Sequence, residues 1–132
     1  MKGRFKIAIV GGGITGLTLA ALLAKGRHSD ALDITLIDAR ARPLFSVAHD
    51  IGLRVSAMAN GSAQLLDSDD AWAHVVDQRV SPYESMRVWD EQNLPDSGAT
   101  LCFDASEFAL PQLGFIVENV LLQDSLLRVL DD

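Results

Sequence analysis

Three glycines near the start of the chain have the spacing of a turn that binds a dinucleotide. They are Gly11, Gly13 and Gly16, in the stretch "IAIVGGGITG". In such a turn the first glycine permits a tight bend, the second lets the backbone approach a pyrophosphate, and the third lets the following helix pack closely on the strand. The N–H groups and the positive dipole end of that helix then attract the phosphates. We therefore predict a dinucleotide site at this turn, and we expect a side chain at Gly13 to block it.

An acidic residue farther along the chain supports this interpretation. Asp38 follows the run "LDITLI" and lies about 20 residues beyond Gly16, where an acid accepts hydrogen bonds from a ribose 2′-hydroxyl. A carboxylate at this place repels a 2′-phosphate, which disfavours NADP as the ligand. Patterns of glycines also occur by chance, so the alternative is a tight turn that binds nothing, with Asp38 as a solvated strand end.

These residues need a strand, a helix and a second strand to position them. The apolar, β-branched run Phe5–Val10 predicts a buried parallel strand. Small and aliphatic residues at helical spacing predict a helix over Ile14–Lys25, which Gly26 would end. Leu32–Ile37 predicts the second strand, reached by a right-handed crossover. Residues 39–55 have no clear period and are predicted to form a long ordered loop.

Two helices are predicted next, over residues 56–66 and 70–77. The residues expected to pack inward from them are Met58, Leu65, Leu66, Trp72, Val75 and Val76.

The last third of the chain changes pattern. Residues 83–90 alternate like a strand and can pair with residues 100–104 as an antiparallel hairpin. Residues 113–119 predict one more strand, and Asn119 can cap a final helix. No second strand–helix unit follows Ile37, although a doubly wound sheet needs more than two parallel strands. The fold class is therefore predicted as α/β: a Rossmann-like βαβ unit, incomplete, with an inserted antiparallel hairpin.

The composition excludes several other classes of function. The formal net charge of −7 argues against nucleic acid and anionic lipid as partners, since both need a basic surface. The single cysteine, Cys102, leaves no intramolecular disulfide and no cysteine metal cluster, and the three histidines have no metal-ligand spacing. No apolar run is long enough to span a membrane. We therefore expect a cytoplasmic protein without a metal site.

Five stretches of the chain resemble a known family, in the same order. They are "IAIVGGGITGLTLAALLA", "ITLIDAR", "LRVSAMANGSAQLLDSDDAWAHV", "SPYESMRVWD" and "LGFIVENVLLQDSLL". Together they resemble the N-terminal part of FAD-dependent aromatic-ring hydroxylases of ubiquinone biosynthesis, which belong to the p-hydroxybenzoate-hydroxylase-like flavoprotein monooxygenases. The stretches "MRVWD" and "GFIVEN" are the most specific to the ubiquinone branch.

The resemblance implies a set of FAD-binding residues. The glycine turn would bind FAD and Asp38 would hold the adenosine ribose, while Arg54 matches an arginine that contacts the flavin nucleotide. A polar residue near the start of the last helix also touches the cofactor in that family, and Gln123 is the first match and Asn119 the second. The alternatives are a surface ion pair of Arg54 with Asp50, and an exposed helix position for Gln123.

The resemblance also implies a chemistry and a division of the chain. In the complete enzyme NAD(P)H reduces the flavin, which reacts with O₂ and hydroxylates a phenol ring; a polyprenylated substrate would place that enzyme near a membrane surface. Arg40 and Arg42 are expected near the adenine end, and no residue is assigned as catalytic. Residues 1–80 would form the FAD-binding unit and its following helices, 81–118 the hairpin and strand of the substrate-domain type, and 119–132 the helix that returns to the FAD-binding part.

The chain departs from the family in two places. Asp69 and Asp70 stand where members carry a hydrophobic residue and a glycine. No Gly-Asp dipeptide occurs in the chain, although a second FAD motif of the family is built on one. We therefore expect weak or no monooxygenase activity from these residues alone. Two other functions stay open: an assembly module that pairs with itself or another chain, and an NAD-binding Rossmann module of another oxidoreductase.

Overall fold

A computed structural model describes residues 3–68 and 70–131 of the chain. Its elements, in order, are β1 (Phe5–Val10), α1 (Ile14–Lys25), β2 (Leu32–Ile37), β3 (Val55–Ala59), α2 (Asn60–Asp67), α3 (Ala71–Gln78), β4 (Ser81–Tyr83), β5 (Ser85–Val88), β6 (Leu101–Asp104), β7 (Gly114–Glu118) and α4 (Asn119–Asp131). Short 3₁₀ turns at Ser29–Ala31 and Ala105–Phe108 precede β2 and β7.

The predicted βαβ unit is present. β1 pairs in parallel with β2, in register from Phe5 opposite Leu32 to Val10 opposite Ile37, and α1 connects them. The prediction that β1 is buried is wrong, because Phe5 is 72% and Val10 82% exposed and only Ile9 is buried. Within the described residues this sheet has two strands, so the apolar run forms a strand without neighbours to cover both of its faces.

A second sheet follows the long loop and was not foreseen in full. Its strand order is β3-β7-β4, all antiparallel, with Val55 opposite Glu118 and Ser81 opposite Ile116. The predicted helix over residues 56–66 is therefore wrong at its start: Val55–Ala59 is extended, and α2 begins only at Asn60. Hydrogen bonding to β7 outweighs the helix propensity of the alanines and Met58.

The helices pack on this sheet and on α1. α4 lies against α1 and α3, and the ring of Trp72 meets Phe115 of β7 edge-on at 5.0 Å. The core residues among those described are Leu17, Ala21, Ala63, Leu66, Ala71, Trp72, Val75, Val117, Leu121, Leu122 and Leu126, with Met58 packed at its edge. Leu65 and Val76 are exposed, so the prediction that they pack inward is wrong, whereas it is confirmed for their neighbours Leu66 and Val75.

The hairpin is confirmed as β5 paired with β6, from Ser85 opposite Asp104 to Val88 opposite Leu101. Residues 38–54 carry no helix or strand, in agreement with the predicted loop. Asp69, one of the two unusual acids, lies outside the described residues, whereas Asp70 has the left-handed backbone conformation (φ 65°) that glycine adopts easily. Over the ranges that the structure covers, no helix is long and apolar enough to cross a membrane.

Candidate dinucleotide site

The glycine turn between β1 and α1 needs glycine at two positions for different reasons. Gly11 has φ +110°, a conformation that L side chains rarely adopt, and its N–H donates to the carbonyl of Ile37 at 2.8 Å. At Gly16 a Cβ would lie 2.0 Å from the carbonyl oxygen of Gly11. The predicted tight bend and close packing of the helix on the strand are therefore both present.

Gly13 differs from these two because open space surrounds it. A Cβ at Gly13 would meet no atom within 4 Å, and the residue directly precedes α1. No side chain caps α1, and its first turn carries no acidic residue. The first N–H groups of a helix have no partner within the helix, so the end of α1 beside Gly13 presents donors and a positive dipole to a ligand.

The carboxylate of Asp38 faces the same turn. One oxygen accepts the N–H of Gly12 at 2.6 Å, and the other accepts the N–H of Arg40 at 2.7 Å and its Nε at 3.3 Å. The hydrogen bonds from the N–H groups of Arg40 and Gly12, with the Arg40 guanidinium, lower the pKa of Asp38 to about 2. Asp38 is therefore ionised at neutral pH, and its side chain is 22% exposed to solvent.

The last helix contributes the opposite wall. Gln123 of α4 donates from Nε2 to the carbonyl of Gly12 at 2.9 Å, which ties α4 to the glycine turn. Asn119, the first residue of α4, donates its N–H to the carbonyl of Arg54 at 3.0 Å, and its Oδ1 accepts the hydroxyl of Ser56 at 2.6 Å. The alternative of Gln123 as a merely exposed helix position is therefore wrong.

Two adjoining cavities lie along these residues. The first, of about 310 Å³, lies beside Gly12; its walls include Leu36, Asp38, Arg40, Arg42, Pro43, Gln123 and Leu127. The second, of about 320 Å³, is lined by Gly13, Ile14, Arg40, Arg54, Asn119, Val120 and Gln123. Arg40 and Gln123 belong to both. Four predicted site residues, Gly13, Asp38, Arg54 and Gln123, thus meet in one place, while Gly11 and Gly16 shape the turn without lining either cavity.

Arg54 is exposed and lines the second cavity. No ion pair with Asp50, or with any other residue, is formed by Arg54 in the part of the chain that the structure describes. A cationic side chain without a protein anion, next to the open end of α1, suits an anionic group such as a phosphate.

The match to a known family agrees with this geometry. Residues 9–79, more than half of the chain, match a family described as "NAD(P)-binding Rossmann-like domain". The chain belongs to this family. The matched range contains the glycine turn, α1 and β2 of the Rossmann-like unit.

Almost the whole chain is similar to larger enzymes. It is 34% identical over 128 residues to "Ubiquinone biosynthesis monooxygenase COQ6, mitochondrial" of Xenopus tropicalis, and the aligned residues make up 96% of this chain and 26% of that protein. It is 36% identical over 126 residues to "3-demethoxyubiquinol 3-hydroxylase" of Escherichia coli (strain K12), with 96% and 30% covered. The resemblance to hydroxylases of ubiquinone biosynthesis is confirmed, and the Rossmann-like chain spans less than a third of the length of these relatives.

A solved structure shares the fold. The crystal structure of tetracycline destructase Tet(51) superposes with a TM-score of 0.56 at 17% identity, covering 98% of this chain and 28% of that one. At this identity the likeness concerns the fold alone.

Sequence reasoning missed two features of the Rossmann-like site. The first is the pair of hydrogen bonds that Arg40 donates to Asp38. The second is an ion pair between Arg79 and Glu118, which contacts the loop that leads to Arg54. Arg79 and Glu118 lie 39 residues apart, so no local spacing signals their contact. Residues 3–68 and 70–131 contain no cluster of three or more His, Cys, Asp or Glu that could hold a metal ion.

Proposed function

We propose that the chain is the FAD-binding N-terminal portion of a flavin monooxygenase that hydroxylates a polyprenyl phenol ring in ubiquinone biosynthesis. The printed functions of the similar proteins support the reaction class. The observation that carries the proposal is the pair of adjoining cavities in which Gly13, Asp38, Arg54 and Gln123 meet.

The two cavities fit the two parts of an adenine dinucleotide. The first combines apolar walls from Leu36, Pro43 and Leu127 with the ionised Asp38, a combination that suits an adenine ring and ribose hydroxyls. The second joins the end of α1 with Arg54, a combination that suits a pyrophosphate. FAD bound there would supply the electron transfer and oxygen chemistry of the hydroxylation, with NAD(P)H as its reductant in the complete enzyme. The residues of this chain would bind the nucleotide half and orient it.

NAD is the second candidate ligand, because the matching family is described by NAD(P) binding. The charge of Asp38 opposes the 2′-phosphate of NADP in either case. Titration of the chain with FAD and with NAD under identical conditions separates the two proposals. Tighter binding of FAD supports the flavin function, whereas tighter binding of NAD refutes it and supports an NAD-binding module.

A valine at Gly13 tests the site directly. Its Cβ would enter open space in the free protein, at an extended backbone (φ −75°, ψ 176°) that valine adopts easily, so we expect the fold to persist. The side chain would occupy the approach to the pyrophosphate, and we expect affinity for FAD and for ADP to fall by at least about tenfold. Isothermal titration calorimetry measures both.

Gly98→Val is the matched control, since a Cβ there also meets nothing within 4 Å and the residue lies before β6, in the loop of the hairpin. Equal binding by the Gly13→Val and Gly98→Val variants would refute the assignment of the glycine turn. So would a wild-type chain that binds neither FAD nor ADP.

The remaining partners follow from the same proposal. The substrate would be a small phenolic molecule, and its polyprenyl tail would bring the complete enzyme to a membrane surface. Self-association is a separate proposal, supported by the exposed strands of the β1–β2 sheet, and light scattering at several concentrations tests it.

A further inference from the structure

A partly buried ion pair holds the loop that leads to the candidate site. Glu118, the last residue of β7, has a side chain only 5% exposed, and its Oε2 accepts Nε of Arg79 at 2.6 Å. Its other oxygen accepts the N–H of Gly52 at 2.7 Å. Burial by itself raises the pKa of Glu118, but the hydrogen bonds from Arg79 and Gly52 and the charge of Arg79 outweigh it and lower the pKa. The carboxylate is therefore ionised at neutral pH.

Arg79 extends this contact along the loop of residues 38–54. Its terminal nitrogen donates to the carbonyl of His49 at 3.0 Å, and its guanidinium lies over the ring of Phe45, 5.2 Å from the centroid. The ion pair thus holds the loop at Phe45, His49 and Gly52, three points of a segment that has no helix or strand of its own.

The fastened segment ends at Arg54. Arg54 lies two residues beyond Gly52, and its carbonyl accepts the N–H of Asn119, the residue that directly follows Glu118. The junction between β7 and α4 therefore hydrogen-bonds to the loop backbone on both sides of Leu53, at Gly52 and at Arg54. Arg54 lines the second cavity, which neither Arg79 nor Glu118 lines.

We propose that Glu118 and Arg79 are positioning residues that hold the loop so that Arg54 faces the phosphate groups of the bound dinucleotide. The inference rests on the proposed function. Its physical basis is entropic, because ordering an irregular loop at the moment of binding weakens affinity, whereas a loop ordered beforehand does not incur that loss. Stability alone is a poor explanation for the pair, since buried ion pairs contribute little net stability compared with apolar residues of the same size.

A double-mutant cycle tests this role. Glu118→Gln keeps the size of the side chain and removes its charge, and Arg54→Ala removes the side chain that the loop is proposed to present. We expect Glu118→Gln to weaken binding of FAD about tenfold in the wild-type background, by the coupling typical of residues in one network, and at most about twofold in the Arg54→Ala background. Isothermal titration calorimetry with FAD and with ADP gives all four affinities.

The cycle separates positioning from general loss of structure. A merely structural Glu118 would weaken binding by the same factor in both backgrounds, and that result overturns the inference while the proposed function stands. A wild-type chain that does not bind FAD, or an Arg54→Ala variant that binds as well as wild type, overturns the proposed role of Arg54 and the inference with it. Arg87→Gln, which breaks the exposed pair with Asp96 in the hairpin, is the control and should leave binding unchanged.

A second variant keeps the test decisive if Glu118→Gln does not fold. Arg79→Lys keeps the charge beside Glu118 but lacks the fork that also reaches the carbonyl of His49. We expect this variant to bind FAD more weakly than wild type, with faster hydrogen exchange of the Gly52 N–H. Wild-type affinity together with faster exchange would mean that the loop need not be held, which overturns the inference.

Discussion

A methyl group at Gly16 tests whether the packing of α1 on β1 sets the shape of the glycine turn. A Cβ at this position would lie 2.0 Å from the carbonyl oxygen of Gly11, whereas real Cβ contacts essentially never fall under 3.0 Å. Both atoms are fixed to backbone, so no side-chain rotation relieves the overlap. The helix would have to move about 1 Å away from the turn, in a region packed as densely as an organic crystal.

The size of the effect follows from two opposing contributions. Overpacking costs about 1–3 kcal/mol and occasionally more, while alanine in place of glycine in a helix gains roughly 1 kcal/mol. Because the overlap is with backbone, we place the cost at the upper end and expect Gly16→Ala to lower the free energy of unfolding by about 2 kcal/mol. For a domain of this size that corresponds to a melting temperature roughly 8 °C lower.

Gly61→Ala is the matched control, because Gly61 lies in α2 and a Cβ there meets nothing within 4 Å. This variant should gain about 1 kcal/mol from helix propensity and from a less flexible unfolded chain. Thermal and urea unfolding, followed by far-ultraviolet circular dichroism, measures both changes. If Gly16→Ala is as stable as wild type, or if both variants shift in the same direction, the described contact between α1 and the turn is refuted.

Two further predictions concern charge and backbone strain. The pKa of Glu118 is lowered from 4.5, so its contribution to stability is complete above pH 4.5 and is lost as pH falls below that value. Urea unfolding at several pH values should therefore show that the free energy of unfolding of Glu118→Gln falls less steeply below pH 4.5 than that of wild type. The same dependence on pH in both proteins would contradict this prediction. Asp70→Gly and Asp70→Ala both lose the exposed contact with Lys25. Because residue 70 has a φ of 65°, the glycine variant should be more stable than the alanine variant by about 1 kcal/mol. Equal melting temperatures of the two variants would argue against that backbone conformation.

The elements that could be predicted are those whose signal is local. β1 and α1 are each a run of one periodicity bounded by glycine, and β2 is a short run that ends at Asp38. The hairpin has two alternating stretches on either side of a turn-rich segment. β3 has no such signal, because "VSAMA" suits a helix as well as a strand until β7, more than fifty residues away, supplies its hydrogen bonds. The prediction that β1 is buried was wrong for the same reason. An apolar run shows that a strand has side chains to bury, but only the tertiary structure determines whether other elements cover them.

The residues of the candidate site also differ in how far the sequence could identify them. Asp38 could be found from its spacing after the glycine turn, and Arg54 and Gln123 from the family resemblance; the structure brings all three to the two cavities. Arg79 and Glu118 could not, since an ion pair between distant residues follows only from the fold. The sequence therefore predicts which residues line the candidate site better than it predicts which residues hold the surrounding loop in place.

The position of α4 shows which of the two similarities covers the whole candidate site. The Rossmann-like match ends at residue 79, yet one wall of both cavities comes from α4, through Asn119, Val120, Gln123 and Leu127. A glycine turn with its helix explains an attraction for phosphate in any such domain. The α4 wall of both cavities lies in the part of the chain that is shared with the ubiquinone-biosynthesis enzymes. The similarity to the ubiquinone-biosynthesis enzymes thus covers a wall of the candidate site that the general family match leaves out, and this similarity, rather than the geometry of the cavities, favours the flavin proposal.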